Sequence, residues 1–190
     1  MATVEPIREK SDVGAMAQAL REIDPKYELM YWMGVYTGLR VGDLLKLRVR
    51  DVVGKKSIKV LEEKTRNKRT VQIWRTIMLN PHLREILRDY CKNKKPNEFL
   101  VPARNSRPMS KPAGRQQAWA VMKRASTQIG LAHIGSHSMR KTFGYFVYMG
   151  NHKDVGLVQE MLQHSSPVTT LRYIGVNSLR IDDAYEDLSF

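Results

Sequence analysis

The sequence predicts a mainly α-helical domain carrying a small antiparallel β-sheet, an α+β fold. Three observations support this. Apolar residues recur at helical spacing over most of the chain, caps and stops punctuate those stretches, and two short β-like runs flank one polar turn. At 190 residues with 42% apolar content, the chain suffices for one domain with a real core. No repeat, low-complexity tract or Gly/Ser linker divides it, so residues 1–10 read as a loose lead-in and 11–190 as a single domain.

Ser11 is placed to cap a first helix with Val13, Met16, Ala17, Leu20 and Ile23 inward, ended by Pro25. A second runs from about Lys26, burying Leu29, Met30, Met33 and Tyr36, to a stop at Gly38. A short helix with Val41, Leu44 and Leu45 on its apolar face follows. The runs Ser57 to Leu61 and Arg69 to Trp74 form a hairpin across the polar stretch Thr65-Arg66-Asn67-Lys68, with Lys64 at its mouth, and Phe99-Leu100-Val101 is expected as a third, edge strand. Asn80-Pro81 opens a helix with Leu83, Ile86, Leu87 and Tyr90. The second half is helical: Arg115 to Ile129 before Gly130, His137 to Met149 before Gly150, Asp154 to Leu162, a short helix from Ser166-Pro167, and a tail helix near Ser178 to Leu188.

Charge narrows the partner. Lys and Arg number 32 against 19 Asp and Glu, a net +13, which favours a polyanion, and nucleic acid comes first. The N-terminus carries no lipid signal or basic amphipathic anchor, and no apolar run could span a bilayer or serve as a secretory signal. A single cysteine, Cys91, excludes an internal disulfide and a Cys-based zinc site, so the chain reads as cytoplasmic with Cys91 a small apolar residue. His82, His133 and His152 lie in unrelated segments, which speaks against zinc. Trp32, Trp74, Trp119 and the ten methionines are expected in the core, because their neighbours are apolar.

Four segments set polar residues beside apolar helical faces: Thr37-Gly38-Leu39-Arg40 with Asp43, the hairpin Lys64, His137-Ser138-Met139-Arg140, and Gln163-His164 followed by Tyr173. Each has an ordinary structural explanation alone, such as a cation complementing a helix end or two polar residues one turn apart. Their order and spacing together resemble the tyrosine recombinase (phage integrase) family over nearly the whole chain. The sharpest match is His164-Ser165-Ser166-Pro167-Val168-Thr169-Thr170-Leu171-Arg172-Tyr173, with the tyrosine nine positions after the histidine.

The chemistry explains why these residue types should meet. Attack on a phosphodiester moves charge onto its non-bridging oxygens, and two permanently charged planar forks, Arg40 and Arg140, can grip them where lysine could not. The Tyr173 hydroxyl, with a free pKa of about 10, needs a positive site or base to shed its proton, and His137 is the candidate base. The resemblance implies that Lys64 protonates the departing 5′ oxygen, that His164 hydrogen-bonds the phosphate, and that Asp43 orients an arginine or histidine behind them. It further implies an integrase-like catalytic fold, site-specific recombination of a mobile element through a 3′-phosphotyrosyl intermediate, no cofactor, double-stranded DNA as partner, and a homo-tetramer on DNA from a monomer in solution. A pocket of Arg, Lys and His with one acid predicts no need for metal. Among the basic stretches Lys68, Arg69, Arg104 and Arg107 are favoured as DNA contacts. The tail 177–190 alternates apolar and acidic residues, and either closes its own domain or docks on a neighbouring protomer.

The sequence departs from the family pattern at Gln163, where glycine usually precedes the histidine, and at Ser138-Met139, usually Asp-Leu. Full-length recombinases also place a DNA-clamping domain before the catalytic one, so the chain reads either as an excised domain or as a natural single-domain recombinase. Two rivals are a type IB topoisomerase, which religates the same strand, and a regulatory DNA-binding protein that does not cut. The intact constellation argues against the second.

Overall fold

The computed structural model describes residues 4–61 and 74–176. The hairpin turn with Lys64, Lys68 and Arg69, and the tail 177–190, lie outside the described residues. Along the chain come α1 (Lys10–Ile23), α2 (Pro25–Thr37), α3 (Val41–Leu44), α4 (Val49–Val52), β1 (Ser57–Leu61), β2 (Trp74–Met78), α5 (Pro81–Cys91), α6 (Arg115–Gln128), α7 (Ser138–Gly150), α8 (Val155–Leu162) and α9 (Pro167–Tyr173).

The caps follow local chemistry. Asp24 ends α1 and starts α2, its carboxylate accepting from the Lys26 N–H at 3.0 Å while Pro25 fills the first helical position. Asn80 does the same for α5 through His82 N–H, Asp154 for α8 through Leu157 N–H, and Ser166 for α9 through Thr169 N–H. The first helix begins one residue before Ser11, with Glu9 as its uncapped N-cap.

Helix α2 is central: Leu29, Met30, Tyr31 and Met33 are all buried, and it packs on α1, α5 and α7. A smaller second cluster of Phe143, Tyr148, Val158, Leu162, Ile174 and Val176 joins α7, α8 and the end of α9. Gly144 permits that junction, because a Cβ there would stand 2.7 Å from the Ile174 side chain and 3.0 Å from that of Leu162.

Several expectations are corrected. The sheet among the described residues has two strands in antiparallel register, Ser57 opposite Met78 and Leu61 opposite Trp74, so the second strand continues beyond Trp74 where the alternation was expected to stop. Phe99 makes only an isolated bridge with Arg48, whose guanidinium also stacks on its ring at 3.8 Å, and Leu100 N–H bonds Leu47 C=O; among the described residues the expected third strand does not form. Trp74 and Trp119 are 58% and 52% exposed, and Met78, Met109 and Met149 are exposed too, because these positions fall on outward faces of their strand, helix or loop. Trp32 packs against the core and Cys91 is buried, as expected. Among the described residues no helix is long and apolar enough to cross a membrane.

Candidate active site

The end of α2 begins the site. The Thr37 hydroxyl donates to Met33 C=O and accepts from Leu39 N–H at 3.3 Å, closing the last turn. Gly38 then turns left-handed at φ +63°, and a side chain there would also strike the Phe143 ring, so glycine is required twice over. This reversal presents Arg40, whose carbonyl accepts from Asp43 and Leu44 N–H at 2.9 and 3.0 Å as α3 starts, and buries Asp43 to 3% exposure.

Helix α7 brings the second segment. Ser138, fully buried, accepts from Gly135 N–H at 3.1 Å and returns its own N–H to the Gly135 carbonyl at 2.9 Å. A serine therefore supplies the local acceptor that an aspartate at this position would. His137 stands at the mouth of the helix. Partial burial of its ring comes first, and the charges of Arg140, Lys141, Arg115 and Arg40 add to it, in holding the imidazole below its ordinary pKa.

Arg140 is the keystone. At 3% exposure, its guanidinium donates through Nη1 to Gly38 C=O, at the end of α2, and through Nη2 to Leu162 C=O at 2.6 Å, at the end of α8. Burial and the charge of Arg40 pull its pKa down to about 10, with Tyr173 acting in the opposite sense, so it remains a cation at neutral pH. Asp43 and Arg75 lie within electrostatic reach of the same group.

The third segment follows Leu162. Gln163 adopts the left-handed conformation at φ +50°, which explains why glycine is the usual residue there. The turn aims His164 back at α9, its Nδ1 3.2 Å from the Thr170 hydroxyl. Thr170 is fully buried and donates to Ser166 C=O at 3.0 Å, so its oxygen is left to accept from Nδ1–H. The His164 ring meets Tyr173 edge to face, centroids 4.8 Å apart.

Tyr173 is half-buried at the end of α9. Burial pushes its phenol pKa above the ordinary value, while the charges of Arg140 and Arg40 and a side-chain hydrogen bond with Arg140 pull it back down. The Lys141 ammonium lies 5.3 Å from the centre of its ring.

Thus Arg40, Asp43, His137, Arg140, His164 and Tyr173, spread over 134 positions of chain from 40 to 173, meet in one place. The charges of both arginines act on the same phenol. Arg104 and Arg107 are exposed in the loop between α5 and α6, and no described hydrogen bond, ion pair or ring contact joins them to the cluster. Three residues were not singled out from the sequence: Arg75, on β2, whose burial lowers its pKa; Arg115, at the first position of α6, whose guanidinium lies against Gly42; and Lys141. The adjacency of Lys141 to Arg140 was the one available signal. Such an arrangement can bind an anionic tetrahedral group and lower the cost of phenolate beside it.

The chain matches the model of the "Phage integrase family" over residues 9–180. It is 34% identical to "Probable integrase/recombinase YoeC" of Bacillus subtilis (strain 168), covering 98% of this chain and 97% of that one. It spans about half the length of other curated relatives, among them "Tyrosine recombinase XerA" of Pyrococcus horikoshii at 28% identity over 78% of this chain. In fold it is similar to the crystal structure of XerA recombinase, with a TM-score of 0.70 at 19% identity over 99% of this chain and 68% of that one. It is also similar to XerH bound to palindromic difH substrate in a post-cleavage complex, with a TM-score of 0.67 at 19% identity over 97% and 54%.

Proposed function

The chain belongs to the phage integrase family, and on that premise we propose that it is the catalytic domain, residues 11–190, of a site-specific tyrosine recombinase acting on double-stranded DNA. The observation that carries the reading is that the charges of Arg140 and Arg40 both bear on the Tyr173 phenol, whose ring meets His164 edge to face.

A guanidinium has five N–H donors. Arg140 gives two of them to the carbonyls of Gly38 and Leu162, and the others serve the phenol and a phosphate oxygen. Arg40 approaches the same phosphate from the end of α2. Tyr173 Oη attacks phosphorus and its proton passes to His137, which is held below its ordinary pKa and is therefore neutral and able to accept it. The P–O5′ bond breaks as the Oη–P bond forms. Lys64 protonates the departing 5′ oxygen, and His164 Nε2 hydrogen-bonds the phosphate. Asp43 orients Arg140 from behind. The product is a 3′-phosphotyrosyl ester and a free 5′ hydroxyl, and attack by a 5′ hydroxyl from another strand reverses the step and exchanges strands.

No metal is required on this reading, because the cations that neutralise the phosphate are the protein's own and a divalent ion would be repelled by them. Lys68, Arg69, Arg104 and Arg107 contact flanking phosphates, the substrate is a mobile element's junction, and a tetramer assembles on it from monomers.

The test is incubation with nicked suicide DNA in EDTA. Wild type forms a covalent protein–DNA adduct and Tyr173→Phe forms none while still binding DNA. An adduct in the Phe variant, or none in either with cognate DNA, overturns the assignment.

A further inference from the structure

The arm of residues 4–9 runs across three segments of the site. Glu5 N–H bonds His133 C=O at 2.8 Å, in the loop before His137, and Ile7 N–H bonds the buried Thr142 hydroxyl at 2.8 Å on α7. Ile7 itself is 3% exposed. Arg8 Nη2 binds Glu5 Oε2 at 3.0 Å and the carbonyl of Gly175 at 3.3 Å, two residues beyond Tyr173. Gly175 has φ +73°, and a Cβ there would stand 2.8 Å from Arg8 Nη2 and 3.1 Å from Glu5 Oε2, so the pair is seated directly on the turn that follows the tyrosine. Lys141, 7% exposed, feels the charges of both Glu5 and Arg8 and holds its ammonium over the Tyr173 ring.

None of these groups has a part in the phosphoryl chemistry above, yet together they enclose the nucleophile's turn. Helix α9 is only seven residues long, and a helix that short does not hold its own geometry in water. Its apolar anchor is Leu171, Tyr173, Ile174 and Val176 in the smaller cluster, and the polar contacts of the arm act on the turn that follows. A hydrogen bond from Arg8 Nη2 to the Gly175 carbonyl and a cation on the ring face set the rotation.

We propose that Glu5, Arg8 and Lys141 are positioning residues, a bracket through which the N-terminal arm sets the orientation of Tyr173. The proposal rests on the reading of Tyr173 as nucleophile, and its physical half can be measured without cleavage. In hydrogen exchange followed by mass spectrometry on the free protein, Arg8→Ala speeds exchange in the peptide 170–176 by about tenfold, the factor expected for losing one charge-assisted hydrogen bond, and Lys141→Met speeds it by about threefold, the factor for losing one cation–π contact. The α2 peptide, unchanged, shows that the fold is intact; Glu5→Gln, a milder change, shifts the 170–176 peptide in the same direction. In single-turnover cleavage at saturating suicide DNA the same variants slow adduct formation without weakening DNA binding, and Lys141→Arg restores the rate because it restores the charge. Unchanged exchange at 170–176 in both Arg8→Ala and Lys141→Met overturns the bracket, as does a Lys141→Arg variant as slow as Lys141→Met. If wild type forms no adduct, the nucleophile assignment fails, while the exchange result still decides the bracket.

Discussion

Replacing Arg140 by lysine separates the bridging role that the structure shows from the phosphate-clamping role proposed for the same guanidinium. The fork spans the carbonyls of Gly38 and Leu162, which terminate two different helices, and it is almost wholly buried. A single ammonium on a shorter reach cannot serve both acceptors and the Tyr173 phenol. At least one buried carbonyl is then orphaned, at a cost of about 1–3 kcal/mol. At roughly 2–4 °C per kcal/mol for a chain of this size, a mid-range loss of about 2 kcal/mol lowers the melting temperature by about 4–8 °C. Cleavage falls further than stability accounts for, by about 100-fold or more, because the ammonium cannot reproduce the planar grip on a phosphate whose charge grows in the transition state. Differential scanning calorimetry and single-turnover suicide cleavage, both well below the variant's melting temperature, read the two effects separately. A variant that melts within about 1 °C of wild type refutes the bridging role. One that is destabilised but cuts at the wild-type rate refutes the phosphate clamp.

Gly144→Ala pushes a methyl to 2.7 Å from Ile174 and 3.0 Å from Leu162, both fully buried, and is expected to cost about 1–3 kcal/mol and to slow cleavage by shifting the segment after Tyr173; an unchanged melting curve would show that the junction has slack. Gln163→Gly relieves a left-handed residue and should stabilise by about 1 kcal/mol, raising the melting temperature by about 2–4 °C; a fall would mean that the glutamine side chain matters more than its backbone. For His137, burial and then the surrounding cations place the folded pKa below the usual value of about 6.5, so the acid limb of the cleavage profile should fall below that pH in wild type and disappear in His137→Asn. The sign for stability follows from the same shift. The unfolded chain takes up the proton first, so this contribution is complete above about pH 6.5 and is lost as pH falls through the folded value, which thermal melts of wild type and His137→Asn between pH 5 and 8 would register. An acid limb at or above pH 6.5 contradicts the reading.

Apart from the start of α1, where Glu9 and not Ser11 holds the cap position, helix starts and stops were legible because their causes lie within a few residues. Asp24-Pro25, Asn80-Pro81, Asp154 and Ser166-Pro167 each satisfy an N–H in their own first turn, and Gly38 stops its helix with its own φ. The extent of β2 and the fate of Phe99 were not legible. Strand pairing depends on what lies opposite, and Arg48, far away in sequence, decided Phe99. Trp74 and Trp119 misled for a related reason: apolar neighbours in sequence do not say which face of a strand or helix meets the core.

From the sequence alone came the candidates for the reacting groups, since only certain side chains can clamp a phosphate, accept a proton or attack phosphorus, and their order along the chain carried the family. Their convergence came from tertiary structure. Arg140 reaches Gly38 across 102 positions and Leu162 across 22, the tilt of the Tyr173 ring answers to His164 and Lys141, and the arm at residues 4–9 closes over the turn at Gly175. Local patterns specify which atoms a segment offers and how its backbone begins and ends. Distances between segments arise only when the two apolar clusters pack, because burial has no direction of its own and the chain must satisfy every buried donor and acceptor at once.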